Sequence, residues 1–160
     1  MKFCVKADRN IWGKNTYYTT PLINGKSYKN AEGDSKIGIW AFTKENFSHL
    51  TKDEKANGPR PTFKESTYSF GKVKRGTVIH AKYSFKNDGK SDFVVYKVNS
   101  DAAKWSHSQI PAVKPGEEQT FTVDLDTNTL PAGEHLTVVT LTTNSPLRPL
   151  VNLFIAGHLE

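Results

Sequence analysis

The chain has 160 residues, 36% of them hydrophobic and 11% aromatic, with 22 Lys plus Arg against 16 Asp plus Glu for a formal charge of +6. That length holds one domain with an extension, or one domain beside a fragment, and is long enough for a real core. The single cysteine, Cys4, excludes an internal disulfide framework and any zinc site built on cysteine pairs, so stability has to come from packing.

Taken in order, residues 3–8 read as a strand, 9–15 as a turn and 17–23 as a second strand whose interior Pro21 marks an edge. Asn24 and Gly25 form a turn dipeptide, and the polar, glycine-containing stretch 26–35 reads as a mobile loop. Residues 36–42 resume alternation, with Ile37, Ile39 and Ala41 on one face and Trp40 and Phe42 on the other. With both faces apolar, such a strand is either buried or meets another domain. Thr51 and Glu54 have the spacing of a capping box, and the short helix they begin should stop near Asn57, Gly58 and Pro59, with glycine in a left-handed cap.

From Thr62 onward strand follows strand: 63–70, 77–86, 92–98, 119–126, 135–143 and 150–156. Asn87 to Gly89, Lys114 to Gly116 and Asn144 to Pro146 supply residues suited to positive φ or to a fixed proline φ. In the second of these strands Ile79, Ala81, Tyr83 and Phe85 alternate with Val78, His80, Lys82 and Ser84, which gives one core face and one wet face. Several short strands without a long helix argue for an all-β, antiparallel two-sheet sandwich. Since every strand needed for two sheets lies within 63–157, that stretch is expected to fold alone.

Residues 119–144 also have an echo at the start of the chain. At an offset of 118, Phe3, Val5, Asp8 and Asn10 fall on Phe121, Val123, Asp126 and Asn128, and Trp12 falls on Leu130. A two-residue gap then sets Gly13 against Gly133 and 17–23 against 136–142. We read this short match as an internal repeat with its first copy cut off at the beginning, coincidence being the competing explanation. The predicted organisation is therefore the closing strands of a truncated sandwich over 1–45, a linker with a short helix over 46–61, and a complete sandwich over 62–158. Met1 and Leu159 with Glu160 lie outside the periodic segments and read as additions. A truncated sandwich has an uncovered face, to be covered by the neighbouring module or by a second chain through residues 1–42.

The remaining candidates are weak as chemistry. Basic residues are scattered among acids, and the densest group, Lys72, Lys74 and Arg75, fits a strand end, so no nucleic-acid partner is expected. No apolar run approaches membrane-spanning length, and Met1-Lys2-Phe3-Cys4 lacks the apolar stretch of a signal peptide. His49, His80, His107, His135 and His158 show no metal-ligand spacing. Ser106, His107 and Ser108 superficially resemble a nucleophile with its base, but adjacent residues seldom present both groups to one atom. Asp124 and Asp126 share a strand face and read as exposed acids. Asn46 to Ser48 has the spacing of a glycosylation acceptor, a match that a bacterial source would make meaningless. Aromatics are left: Trp105, placed in a loop, and the group Trp12, Tyr17, Tyr18 and Trp40. Along the last strand Leu150 and Phe154 face away from the core. Trp40, Trp105, Leu150 and Phe154 are thus the candidate interaction residues.

Four segments, YSFGKVKRG at 68–76, YSFKNDGKSD at 83–92, VKPGE at 113–117 and TTNSP at 142–146, together resemble the bacterial domain-of-unknown-function family 1573. The linker ENFSHLTKDEKAN at 45–57 resembles the segment joining successive modules in longer members. The resemblance, over about 63–157, implies an Ig-like module related to Hydin and major-sperm-protein domains, exported to the periplasm or cell surface and arranged in tandem, without catalysis or cofactor. Where many members have Cys-Gly-Cys, this chain reads Asn99 to Ala103 without a thiol, so no thiol-based redox or metal role carries over. The implied function is a non-catalytic spacer or protein-interaction module; the alternative is carbohydrate binding through exposed aromatics such as Trp105.

Overall fold

The computed structural model describes residues 11–30 and 33–160. The predicted strand 3–8, Cys4 and the part of the repeat match from Phe3 to Asn10 lie outside the described residues. The chain divides into two compact units between Thr43 and Lys44.

In the first unit, β1 (Gly13–Thr19) has two short strands after it, β2 (Leu22–Ile23) and β3 (Lys26–Ser27), then β4 (Lys29–Asn30), β5 (Gly33–Asp34) and β6 (Ile37–Thr43). β1 and β6 pair antiparallel from Gly13 opposite Thr43 to Thr19 opposite Ile37. Gly13, at φ 73°, opens β1 four residues before the predicted start, and Pro21, which has no N–H for a ladder, lies just beyond its end. Asn24 and Gly25, at φ 51° and 76°, make the tight turn that joins β2 to β3. The stretch 26–35 is not the expected loop: it carries β3, β4 and β5, with Tyr28 N–H donating to Pro21 O and Ser35 N–H to Tyr28 O. On one face of the hairpin Thr16 lies opposite Trp40 and Tyr18 opposite Gly38; on the other, Asn15 lies opposite Ala41 and Tyr17 opposite Ile39.

The second unit begins with an irregular stretch and α1 (Lys52–Asn57). Thr51 caps it as expected: Glu54 N–H donates to Thr51 Oγ1 at 3.2 Å, and Thr51 N–H donates to Glu54 Oε2 at 2.7 Å. Gly58, expected in a left-handed cap, is extended at φ −66°. Close approach explains it better, since a Cβ there would come within 3.0 Å of Pro146 Cδ.

Two four-stranded sheets follow. One has the order β10 (Val95–Ser100), β13 (Gly133–Thr143), β14 (Leu150–Leu159), β8 (Thr67–Val73); the other has β11 (Trp105–His107), β12 (Glu118–Asp126), β9 (Val78–Asn87), β7 (Pro61–Phe63). The fold is an all-β, Ig-like sandwich. Its pairs are antiparallel with one exception among the described strands, β8 beside β14, which is parallel. The single strand predicted over 63–70 is in fact two, because the chain changes sheets at residues 64–66: Lys64 N–H donates to Ser84 O in one sheet, and Phe154 N–H donates to Ser66 O in the other.

The core lies between the sheets. Ile79, Ala81, Tyr83 and Phe85 of β9 and Phe121, Val123 and Leu125 of β12 meet Val139 and Leu141 of β13 and Val151, Leu153 and Ile155 of β14. Each fully buried aliphatic or aromatic side chain contributes about 1.5–3 kcal/mol before entropy is counted. Phe85 ties the aromatic end together, stacked on Phe63 at 5.0 Å between ring centroids and edge-on to Phe93 at 5.3 Å. Leu159, read from sequence as an addition, is fully buried and ends β14, opposite Gly133 on one side and Val73 on the other.

Residues 44–60 are fastened to this sandwich. Tyr96 Oη donates to Glu45 Oε2 at 2.6 Å, Ser145 Oγ donates to Pro59 O at 2.6 Å, and Arg148 Nη1 donates to Pro61 O at 3.2 Å. Buried Asn87 is the hub: its Nδ2 donates to Ser91 O and Val113 O, and its Oδ1 accepts from Arg60 N–H and Gly89 N–H. Gly89 does not have the positive φ expected of a turn glycine. It is instead pressed against the backbone of residues 58–60, where a Cβ would lie 2.6 Å from Arg60 N and 2.7 Å from Pro59 Cα.

Candidate functional site

The serines and histidine at 106–108 do not converge. Trp105 and His107 lie opposite Leu125 and Val123, whose side chains are in the core, so Ser106 between them projects to the opposite face. His107 Nδ1 lies 2.7 Å from Ser108 O, and Ser108 Oγ accepts from Thr122 N–H. Asp124 sits across from Ser106 and holds His80 at 2.6 Å, which puts the carboxylate rather than the imidazole between the other two, the wrong order for a base-activated nucleophile. His158 pairs with Glu134 at 2.9 Å. Among the described residues no three His, Cys, Asp or Glu side chains gather as metal ligands.

Asp126 is occupied structurally. Its Oδ1 accepts from Asn128 N–H at 2.9 Å, and that bond holds its carboxyl below the usual range. Two tyrosines titrate well above their ordinary value. Burial is the main cause for both, reinforced for Tyr96 by its bond to the Glu45 carboxylate. Neither is poised for chemistry near neutral pH.

The four candidate interaction residues are spread over three surfaces. Trp105 is on β11 rather than in a loop, half-buried against the core with its ring stacked on His107 at 5.7 Å. Leu150 and Phe154 are on the outer face of the other sheet, about 13 Å apart along β14. Trp40 belongs to the first unit and is 68% exposed. Phe154 has apolar neighbours that sequence reasoning did not single out: Val138 lies directly opposite, and Leu136, 62% exposed, lies opposite Ala156. The signal for them was the outward register of 135–143, since Leu136 and Val138 alternate with the buried Thr137 and Val139. Between Phe154 and Leu150, Asn152 accepts a bond from Thr140 Oγ1 at 3.0 Å.

The two units share a strand pattern. In the second, Gly133, at φ 119°, opens β13 opposite Leu159, the last residue of β14; in the first, Gly13, at φ 73°, opens β1 opposite Thr43, the last residue of β6. Superimposing the two pairs sets Tyr17 on Thr137, Ile37 on Leu153 and Ile39 on Ile155, all of which point inward in the sandwich. Tyr18 and Gly38 then fall on the outward pair Val138 and Phe154, and Thr16 and Trp40 on Leu136 and Ala156. The sequence alignment set Tyr17 against Leu136, one residue away from this register. A one-residue slip in a strand reverses every face. On the outer face of the first pair the Tyr18 ring lies 3.5 Å from the place of a Cβ on Gly38.

Residues 61–159 match the family described as "Protein of unknown function (DUF1573)". No curated protein matches the chain. A protein of unknown function from Porphyromonas gingivalis W83 superposes with a TM-score of 0.71 at 16% identity, covering 96% of this chain and 69% of that one. The ASH / PapD-like domain 7 of human CEP192 superposes with a TM-score of 0.53 at 13% identity, covering 74% of this chain and 98% of that domain. At such identities the likeness is one of fold.

Proposed function

The chain belongs to the family described as Protein of unknown function (DUF1573), and from that premise we propose that it is a non-catalytic Ig-like segment of an exported, multi-domain bacterial protein, serving to space and join modules. The observation that carries the reading is the shared register, Gly13 opposite Thr43 and Gly133 opposite Leu159. It supports reading β1 and β6 as the closing hairpin of a sandwich like the one that follows, with Tyr17, Ile37 and Ile39 on its inner face. Within their own unit, β1 and β6 form a two-stranded sheet to which no other described strand is added. Two strands alone are marginal in water, so an apolar face such as this calls for a second sheet as its cover. The fastened segment 44–60 fits the same role, since it delivers the chain from one module to a fixed point on the next. Against the carbohydrate alternative stands Trp105, whose ring is engaged with the core rather than offered to a ligand.

The test is a pair of substitutions on adjacent residues of β6. Ile39→Asp places a charge on the inner face, and Trp40→Asp places one on the outer face. Residue-resolved amide exchange should show the protection of β1 and β6 lost in the first and retained in the second. Equal effects, the reverse order, or unprotected hairpin amides in the unsubstituted chain would overturn the reading.

A further inference from the structure

We propose that the sandwich is built to bear tension between its two ends, and that β8 with β14 is the element that bears it. The inference rests on the spacer reading above and adds a mechanical property to it. β8 is the first full strand met from the amino-terminal side of the second unit, and β14 is the last strand of the chain. They lie side by side and parallel, with Thr67 opposite Phe154 at one end and Val73 opposite Leu159 at the other. A pull on the amino-terminal side draws β8 toward Thr67, whereas a pull on the carboxy-terminal side draws β14 toward Leu159. The strands are therefore loaded along their length in opposite directions. All the bonds between them share the load and have to fail together, unlike an antiparallel pair pulled from its open end, which parts one bond at a time.

Three further features strengthen the pair against sliding. The register shifts between Ala156 and Gly157, opposite Gly71 at φ 65°, and in that shift the Phe70 ring occupies the space a side chain on Gly157 would need. Phe70 packs against the core, so sliding β8 along β14 has to drag an aromatic ring past a fixed contact. Beyond the last pair, Glu160 N–H donates to Val73 O and Arg75 N–H donates to Glu160 O, which extends the junction past both strand ends. At the other end Phe154 carries two bonds, its N–H donating to Ser66 O and its carbonyl accepting from Tyr83 Oη at 2.8 Å. Upstream, the bonds of Glu45 and Pro59 to the sandwich and the three-residue pairing of β7 with β9 yield before tension reaches β8, so residues 44–63 act as a release ahead of the clamp.

Single-molecule force spectroscopy on one folded protein pulled in two directions tests this, with Cys4→Ser removing the native thiol. Handles at Lys44→Cys and Glu160→Cys load β8 and β14 in shear. Handles at Ala132→Cys and Glu160→Cys, which flank the opposed residues Gly133 and Leu159, open β13 from β14 end-on. The clamp requires a rupture force several-fold higher in the first geometry, preceded by a small early extension as 44–63 comes free. Equal forces, or a lower force in the first geometry, would overturn it. Such a result would leave the tandem reading intact, because that reading is decided by the inner-face and outer-face substitutions.

Discussion

Gly89→Ala should be among the most damaging single-methyl changes in the second unit, for a reason unrelated to turn conformation. Gly89 does not have positive φ, so alanine is tolerated by the backbone and by itself would stabilise by about 0.4–1 kcal/mol through the unfolded state. The added Cβ, however, would lie 2.6 Å from Arg60 N and 2.7 Å from Pro59 Cα, and would overlap Gly58 O. These are backbone atoms, and no rotamer change can clear them. Displacing residues 58–60 strains the bonds from Arg60 N–H to Asn87 Oδ1, from Asp88 N–H to Arg60 O and from Ser145 Oγ to Pro59 O. With about 0.5–1.5 kcal/mol for each of the three bonds and an overpacking cost of about 1–3 kcal/mol, less the backbone gain, the net loss is about 2–7 kcal/mol. In a unit of this size that lowers Tm by roughly 10 °C or more, measurable by calorimetry or circular dichroism. A variant that melts within about 2 °C of the parent, or above it, would refute the packing account of Gly89.

Asn87→Ala should cost about 3 kcal/mol or more, because it removes the shared partner of two carbonyls and two N–H groups, the Val113 bond being fully buried; denaturant unfolding measures this. Tyr83→Phe removes only the bond to Phe154 O and should cost about 1 kcal/mol with the fold unchanged, which denaturant unfolding and a two-dimensional NMR spectrum together would establish. Glu54 is held below its ordinary value of 4.5 by the Thr51 backbone bond, so its support of α1 is present above that value and fades as pH falls through the depressed one. An NMR titration should find the Glu54 midpoint below 4.5 and the amide of Thr51 shifting with the same midpoint; a midpoint at or above 4.5 would contradict the capping box as the cause.

What was legible in the sequence was local. The alternation of 78–85 gave the inward set Ile79, Ala81, Tyr83 and Phe85 correctly, Thr51 and Glu54 gave the cap, and Asn24 with Gly25 gave the turn. What was hidden depends on partners distant in the chain. The change of sheet at 64–66 interrupts no local pattern, so 63–70 looked like one strand. Gly58 and Gly89 resemble ordinary punctuation glycines until Pro146 and residues 58–60 are seen against them. Leu159 lies beyond the last recognisable alternation, and its place in the sheet shows only in its pairing with Gly133 and Val73. Trp105 looked like a loop aromatic because β11 is only three residues long. Among the interaction candidates, Leu150 and Phe154 were legible as outward residues of an apolar strand, whereas Leu136 was hidden by a register that only the pairing with Ala156 reveals.

The central claim is that residues 13–43 belong to one sandwich and residues 44–160 to another. Scanning calorimetry of the full chain beside the protein consisting of 44–160 addresses it most directly. The account predicts that deleting 1–43 leaves the main transition within about 2 °C, since every buried strand of that core lies beyond Thr43. Deleting further, to Pro61, should then lower it clearly, by loss of the bonds of Glu45, Pro59 and Arg60. A fall of about 5 °C or more on removing 1–43 alone would mean that β1 and β6 complete the core of the second unit, and would contradict the account.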